Sequence, residues 1–350
     1  MKGAAFGNAW LLLTLATLCW GGNAVAGKLA AGEWLPFTLT TARWACAALL
    51  LLPFAWGPLR EDWPVLRRHL PLMFLLGGVG MCLFNLLMFL ALNHTTAINV
   101  SIEQAIMPLL IMVANFVVFS QRVRALQLVG LALSILGVLV TTTDGRPLDF
   151  FTSGLNRGDA LMLLACVFYA GYTFGLRWRP PLHWLSYMWA ISISALLMTL
   201  PFTAWELSRA TQPMPGAGAL LALLYIVIFP TVVSQIAYAR GVELIGGNRA
   251  GQFINLVPVF GAALAVLILG ERFAWYHGAG LVLVLGGITL AERTAARSAA
   301  DAAEAGSVSS GAESEAGAVA RAGAVDVSPV DASPARAPDL PPDREASRRA

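Results

Sequence analysis

Residues 107–137 read MPLLIMVANFVVFSQRVRALQLVGLALSILG, and residues 257–287, which lie 150 positions later, read VPVFGAALAVLILGERFAWYHGAGLVLVLGG. Aligned without a gap, the two stretches match one proline and two glycines: Pro108 with Pro258, Gly130 with Gly280, and Gly137 with Gly287. Each stretch holds two apolar runs joined by a few polar residues, which is typical of two membrane-spanning helices and a short loop. The register extends over 83–140 and 233–290, and it predicts two related halves.

The composition of the whole chain favours a membrane protein. Hydrophobic residues make up 57% of the chain, charged residues make up 12%, and the mean hydropathy is +0.69, whereas a soluble domain carries about 25% charged residues. This balance argues against a soluble enzyme, a nucleic-acid-binding protein and a secreted disulfide scaffold. All four cysteines lie in apolar runs and are expected to be small buried hydrophobic residues.

Ten apolar runs are long enough to cross a bilayer core about 30 Å thick, which requires roughly 20 residues of helix. They lie at 9–28, 35–55, 72–92, 97–119, 125–143, 159–176, 184–204, 218–239, 249–269 and 275–291. The alternating segments of about ten residues that build a membrane β-barrel are absent. The sequence therefore predicts an all-α integral membrane protein with ten transmembrane helices.

The repeat divides these helices into two sets of five. Because five is odd, the second set must cross the membrane in the opposite direction, and such inverted repeats are typical of secondary transporters. The predicted organisation is a first five-helix repeat over 1–143, an outer connecting loop over 144–158, a second five-helix repeat over 159–293, and a disordered cytoplasmic tail over 294–350. The tail is rich in Ala, Ser, Pro, Asp and Glu, and it cannot bury enough apolar surface to order itself.

The basic residues in the loops predict the orientation, because cytoplasmic loops carry an excess of Lys and Arg. With the N-terminus placed inside, the cytoplasmic side receives Lys2, Arg60, Arg67, Arg68, Arg122, Arg124, Arg177, Arg179, Arg240, Arg249, Arg293 and Arg297. The outer side receives Lys28, Arg146, Arg157, Arg209 and Arg272. We therefore expect a multi-pass protein of the cytoplasmic (inner) membrane with both termini in the cytoplasm.

Several short motifs resemble one known family. The run Val257-Pro258-Val259-Phe260-Gly261 with the later Gly270-Glu271-Arg272 and Gly286-Gly287 resembles the last two helices of EamA-type transporters, which belong to the drug/metabolite transporter superfamily. Cys19-Trp20-Gly21-Gly22-Asn23 with Lys28, and Ala42-Arg43-Trp44, resemble the first two helices of that family, and Gly158-Asp159 resembles the start of its second repeat.

This resemblance covers about residues 9–292. It departs from the family at Ser120-Gln121-Arg122, where Gly-Glu-Arg is usual. The resemblance implies ten helices in two inverted five-helix repeats around a central cavity, which spans 1, 3, 4, 6, 8 and 9 would line. It also implies transport of small polar or amphipathic metabolites.

Polar residues inside a bilayer are costly, and their positions indicate candidate sites. Asn23, Arg43, Asn85, Glu103 and Gln104 are all expected in the outer half of their spans. One interpretation is a polar vestibule in which Glu103 binds a cationic group or exchanges a proton. The alternative is a structural Glu103–Arg43 ion pair.

The cytoplasmic half offers a second set of candidate solute-binding residues. They are Gln235, Tyr238, Gln252 and Asn255 of the second repeat, with Tyr169 and Tyr172 as an aromatic wall. The alternative for the polar residues is hydrogen bonding between helices, and for the tyrosines it is packing. Pro108 and Pro258 lie near the middle of their spans, where proline kinks a helix. Each could form a hinge or a static bend.

These features together predict a secondary active transporter, an exporter or exchanger of small metabolites, with amino acids and their analogues as candidate solutes. The expected partners are the solute, the lipid bilayer and protons, with no nucleic acid, no metal and no cofactor. Whether the protein is a monomer or a homodimer is left open. The alternative is a polytopic membrane enzyme of lipid or small-molecule transfer, although the sequence carries no metal-ligand spacing and no nucleophile elbow.

Overall fold

Long helices build the described part of the chain, because in lipid every backbone N–H and C=O group must be satisfied within its own segment. The computed structural model describes residues 7–119 and 124–294, and for Phe119, Thr152, Ser153, Gly247 and Asn248 it describes only the backbone. These residues all belong to one compact unit. The tail predicted to be disordered lies, from residue 295 onward, outside the described residues, as does the Ser120–Arg122 departure.

By length and composition, nine helices in the described ranges can cross a membrane. They are α1 (Ala9–Ala30), α2 (Pro36–Leu66), α3 (Leu70–Ala91), α4 (Ala97–Val118), α5 (Ala125–Thr142), α6 (Arg157–Trp178), α7 (Trp184–Arg209), α8 (Ala217–Ile245) and α9 (Arg249–Leu269). A further helix, α10, covers 275–294 and contains the tenth predicted span. The described residues contain no β-strand, and one isolated bridge joins Ala31 to Trp34.

The second helix is longer than the sequence predicts. The apolar run ends near residue 55, but α2 continues to Leu66 and holds Pro53, Pro58 and Pro64 within it. Its last turns carry charged residues, so hydropathy detects only the apolar part of the helix. The prediction that this element ends at residue 55 is wrong, and α8 likewise extends past residue 239 to Ile245.

Irregular turns occur at equivalent places in the two halves. A 3₁₀ turn at Gln104–Ile106 in α4 precedes Pro108, and a 3₁₀ turn at Gln252–Leu256 in α9 precedes Pro258. In each case the proline is the second residue of the helix that resumes after the turn. The missing N–H of the proline then destabilises the helix less, because the preceding tighter turn has already interrupted the regular α-helical hydrogen bonds.

Wider π turns form a second equivalent pair of irregularities. They cover Leu75–Cys82 in α3 and Phe229–Val233 in α8, which overlap when the chain is shifted by 150 residues. The first turn contains three glycines and the second contains Pro230. Single π turns inside α-helices are frequent at functional sites.

Glycines allow α5 and α10 to pack in direct backbone contact. A Cβ atom on Gly137 would lie 2.8 Å from the Gly280 carbonyl oxygen, and one on Gly130 would overlap the Gly287 carbonyl oxygen. The hydroxyl of Ser134 donates a hydrogen bond to the Val284 carbonyl at 3.2 Å. The two helices are therefore antiparallel. By contrast, a Cβ atom on Gly286 would meet nothing within 4 Å.

One end of the bundle is held together by carboxylates that cap helices. We call it the Glu271 end, and it holds Lys28, Ala97 and Leu269; the opposite end, with Ala9 and Arg249, is the Arg249 end. Glu271 accepts hydrogen bonds from the N–H groups of Ala97 at 2.8 Å and Ile98 at 3.0 Å, at the start of α4. A carboxylate at this position satisfies free N–H groups and complements the helix dipole.

Two more carboxylates at the Glu271 end act in the same way. Glu206 of α7 accepts from the N–H groups of Phe37 and Thr38 in α2, at 3.1 and 2.8 Å. Glu33 accepts from the N–H of Gly216, just before α8, at 2.7 Å. Each bond joins residues from different halves of the chain, so the halves are tied together at this end.

Candidate functional site

A buried arginine lies where four helices meet. The Arg43 guanidinium of α2 donates from Nη1 to the Asn85 Oδ1 of α3 at 2.5 Å and to the Asn23 Oδ1 of α1 at 3.3 Å. It donates from Nη2 to the Thr231 Oγ1 of α8 at 3.3 Å. Arg43 is 4% exposed, and its buried Nε has no hydrogen-bond partner among the described residues. These partners are all neutral oxygens.

The π turn of α8 supplies part of this arginine site. Thr231 lies within it, and the preceding Pro230 carbonyl accepts a hydrogen bond from the Trp20 indole of α1 at 3.1 Å. Trp44 and Phe89 rings lie 5.1 and 5.9 Å from the guanidinium carbon, within the range of cation–π attraction. Local unwinding of the helix thus exposes backbone and side-chain oxygens toward the bundle interior.

A separate acidic site lies between α4 and α6. Glu103 is 0% exposed, and neither of its carboxylate oxygens has a hydrogen-bond partner among the described side chains and backbone groups. The Asp159 carboxyl of α6 is close enough to interact with it. Asp159 itself accepts hydrogen bonds from the Thr95 hydroxyl at 2.5 Å and from the Asn156 amide at 2.8 Å.

The alternative of a Glu103–Arg43 ion pair is not what the structure shows, because each residue has other neighbours. Arg43 is held by Asn23, Asn85 and Thr231, whereas Glu103 faces Asp159 and its backbone carbonyl accepts a weak hydrogen bond from the Cys166 thiol at 3.6 Å. Sequence spacing gives the depth of a residue along its span, whereas its direction around the helix axis also depends on how the helices pack.

Several aromatic side chains of α1, α3, α6 and α8 contact one another inside the bundle. Tyr169 of α6 lies 4.9 Å from Phe84 and 5.8 Å from Tyr172, between ring centroids. Trp20 and Tyr238 lie 5.2 Å apart. Tyr172 is buried and accepts a hydrogen bond from Tyr187 at 3.2 Å, whereas Tyr169 and Tyr238 are half-buried. A solute-binding role for these tyrosines remains a prediction.

The remaining predicted polar residues are not gathered at one point. Gln104 is half-buried and donates to the Val100 carbonyl at 3.2 Å, and Gln235 is half-buried. Gln252 is exposed, whereas the Asn255 amide donates to Glu292 of α10 at 3.5 Å. Asn255 thus makes a hydrogen bond between helices, which is the alternative to solute binding for this residue.

One cavity within the described residues lies outside the arginine and acidic sites. It has a volume of about 110 Å³ and lies between α4, α5 and α10, with Pro108, Met112, Gln127, Ile288 and Glu292 among its lining residues. Pro108 is the only predicted functional residue in that lining. The central cavity itself remains a prediction.

Two residues of these sites, Thr231 and Asp159, are not among the site residues predicted from the sequence. Thr231 looked like an ordinary span residue, and its role depends on the π turn, which hydropathy does not reveal. In the sequence, Asp159 belongs to the Gly158-Asp159 motif at the start of the second repeat. A signal for it was available, because an acidic residue within the first turn of a span is rare unless it is paired or functional.

Within the described residues, a helical bundle with nine membrane-length helices, one carboxylate-capped end and two buried polar sites has the features of a multi-pass membrane transport protein. The comparison with known families agrees. Residues 7–143 and 156–292 each match the EamA-like transporter family. The chain therefore belongs to the EamA-like transporter family, and it is a membrane transporter of the drug/metabolite type.

Individual relatives carry transporter names. Uncharacterized transporter YetK of Bacillus subtilis (strain 168) is 24% identical over 80% of this chain and 86% of its own length. Uncharacterized transporter YdeK of the same organism is 29% identical over 82% and 98%. A probable amino-acid metabolite efflux pump of Salmonella typhimurium is 28% identical over 79% and 92%. These names indicate a transporter rather than an enzyme.

One protein of known crystal structure shares the fold. It superposes with a TM-score of 0.55 and 17% sequence identity, and the match covers 83% of this chain and 98% of that protein. At this identity the likeness shows the fold alone.

Proposed function

We propose that this protein is a secondary active transporter that exports small carboxylate-bearing metabolites, amino acids or their analogues, across the cytoplasmic membrane by alternating access. The observation that carries the proposal is Arg43. It is a buried cation whose hydrogen bonds go to neutral oxygens, and its Nε–H has no hydrogen-bond partner within residues 7–119 and 124–294. A buried charge without a compensating partner is costly, and a solute carboxylate would supply that partner.

Two inverted five-helix repeats, over 1–143 and 159–293 with 144–158 as the connection, provide the framework in this proposal. The contacts of α5 with α10 support it. Gly130 contacts Gly287 and Gly137 contacts Gly280, while the repeat equates Gly130 with Gly280 and Gly137 with Gly287. Such a reciprocal exchange of partners is what a two-fold axis between equivalent elements produces. Ten spanning helices follow if α10 crosses the membrane with the other nine.

The bundle is packed unequally along its length, which supports alternating access. In α4, every side chain from Ala97 to Leu109 is buried except Gln104 and Pro108, whereas none from Leu110 to Val118 is buried. In α9, none from Gly251 to Leu256 is buried. With the carboxylate caps closing the Glu271 end, solute would enter from the Arg249 end. We place that end in the cytoplasm, from the excess of Lys and Arg in its loops.

The efflux direction and the amino-acid class are supported by one relative, the probable amino-acid metabolite efflux pump. The half-buried tyrosines, Tyr169 and Tyr238, would contact the apolar part of the solute between Arg43 and the Arg249 end. Asn23 and Asn85 would hold the guanidinium in the orientation that binds the solute, because side chains hydrogen-bonded to a binding group fix its position.

Counterflow in proteoliposomes tests this function. Vesicles loaded with a concentrated unlabelled mixture of the twenty amino acids are diluted into buffer that holds only a trace of the labelled mixture. We expect transient accumulation of label, because a carrier exchanges one bound solute for another. Uptake equal to that of protein-free liposomes, with every labelled amino acid, would contradict the proposal.

A further inference from the structure

We propose that Glu103 and Asp159 form a site that holds one exchangeable proton, and that release of this proton is coupled to opening of the Glu271 end. The inference rests on the proposed transport function and deepens it by naming the coupling ion and the residues that hold it. Glu103 belongs to α4 and Asp159 to α6, so the site joins the two halves of the chain.

The hydrogen bonds of this site lack a donor. Both Glu103 oxygens and the Asn99 Oδ1, which lies one helical turn away, are buried acceptors without a partner in the described part of the chain. The Asn99 amide nitrogen is already directed to the Thr95 hydroxyl oxygen at 3.4 Å. Buried acceptors are normally satisfied, and a proton on Glu103 supplies a donor to Asp159 or to Asn99.

The proton belongs on Glu103 rather than on Asp159, because Asp159 has donors of its own. Its two oxygens accept from the Thr95 hydroxyl and the Asn156 amide, and bonds to an ionised carboxylate stabilise the charge. Two carboxylates in one dry site cannot easily both be ionised. The ionised Asp159 therefore favours a neutral Glu103, and the pair carries a single negative charge.

Few other charged groups face the pair. From α6, Glu103 is also approached by the Cys166 thiol, and Asp159 is influenced by Asp144 of the connection between α5 and α6. At the start of α4, the Lys28 ammonium binds the Leu92 and Thr95 carbonyls, each at 2.7 Å, and Glu271 caps the helix. None of these groups gives the Glu103 carboxyl a hydrogen bond.

The position of the pair explains how its proton could be coupled to movement. The Thr95–Asp159 bond lies at the Glu271 end, beside the cap that ties α4 to the second half. Separating the halves there would break this bond and admit water to Glu103. The Glu103 O–H bond then breaks, its proton passes to water and the carboxylate remains hydrated. Closing the end again requires that a proton return.

Glu103→Gln tests the inference, because the amide keeps a donor toward Asp159 and Asn99 but cannot release a proton. Proteoliposomes are given the labelled amino-acid mixture with an imposed pH difference of one unit, which for one proton per solute supports about tenfold accumulation. We expect the wild type to accumulate label and the variant to lose this accumulation while retaining counterflow. Glu243→Gln is the control, because that side chain is 63% exposed and pairs with Arg240; it should retain both.

The outcomes separate the two proposals. Absence of counterflow in the wild type overturns the transport function itself. Normal pH-driven accumulation by Glu103→Gln, or accumulation driven by a sodium gradient and not by the pH gradient, overturns the proton site. If Glu103→Gln does not yield a monodisperse protein, infrared titration of the wild type decides. A protonated carboxyl band that disappears at alkaline pH is expected, and its absence at every pH rejects the inference.

Discussion

Arg43→Lys is expected to abolish the preference of the transporter for solutes that carry a carboxylate. The lysine keeps a positive charge, but it loses the planar set of N–H donors that reaches Asn23, Asn85 and Thr231 together and leaves Nε–H for the solute. A hydrogen bond between charged groups contributes about 2 kcal/mol, which is roughly 30-fold in affinity. We therefore expect the wild type to prefer an amino acid to its amide by about this factor, and the variant to show little preference.

Competition measures this preference directly. The amino-acid mixture and the corresponding amides are compared as unlabelled competitors of counterflow. Because Arg43→Lys also leaves buried acceptors unsatisfied, the ratio of the two inhibition constants is the relevant quantity, since it does not depend on the amount of folded protein. Arg240→Lys, at an arginine whose side chain is 43% exposed and pairs with Glu243, should leave the ratio unchanged. A wild-type protein that binds amides as well as acids would show that Arg43 is purely structural.

Gly287→Val is expected to prevent stable packing of α10, whereas Gly286→Val is expected to be tolerated. A Cβ atom at residue 287 would overlap the Gly130 carbonyl oxygen and the Ser134 hydroxyl, whereas one at residue 286 meets nothing within 4 Å. Overpacking costs typically up to about 3 kcal/mol when side chains can shift. We expect at least this cost here, because the opposing atom is backbone and cannot rotate away.

The two neighbouring glycines make a matched pair, because both substitutions add the same atoms to the same helix. The measurement is thermal unfolding in detergent, followed by the fraction of monodisperse protein. The unfolding temperature of Gly287→Val should lie well below that of the wild type, and that of Gly286→Val should lie close to it. Equal stability of the two variants would mean that α10 does not pack against α5 through this face.

The helices themselves could be predicted from hydropathy, because a spanning helix must be apolar along its length. The first nine predicted spans coincide with α1 to α9, and the errors lie where charged turns extend a helix, as in α2. The irregular turns could not be predicted in detail, although Pro108 and Pro258 marked two of them. The π turn that brings Thr231 to Arg43 has no hydropathy signal.

For the candidate sites, the sequence predicts how far along its span each residue lies, but not which way its side chain points around the helix axis. Asn23, Arg43 and Asn85 were expected at one level, and the structure brings them together. Glu103 was expected at the same level, but it faces Asp159 on α6 instead of Arg43. A rotation of half a turn about the helix axis changes which neighbours a side chain meets, and that rotation is set by packing contacts such as those of the glycines in α5 and α10.

The central claim is that two inverted halves expose one site alternately at the two ends of the bundle. Distances between paired spin labels test it most directly, with His94 and Arg209 labelled at the Glu271 end and Arg68 and Leu244 at the Arg249 end, all four exposed and each pair joining the two halves. When the amino-acid mixture is added, the first distance should lengthen as the second shortens. Two distances that stay fixed, or that lengthen and shorten together, would contradict the account.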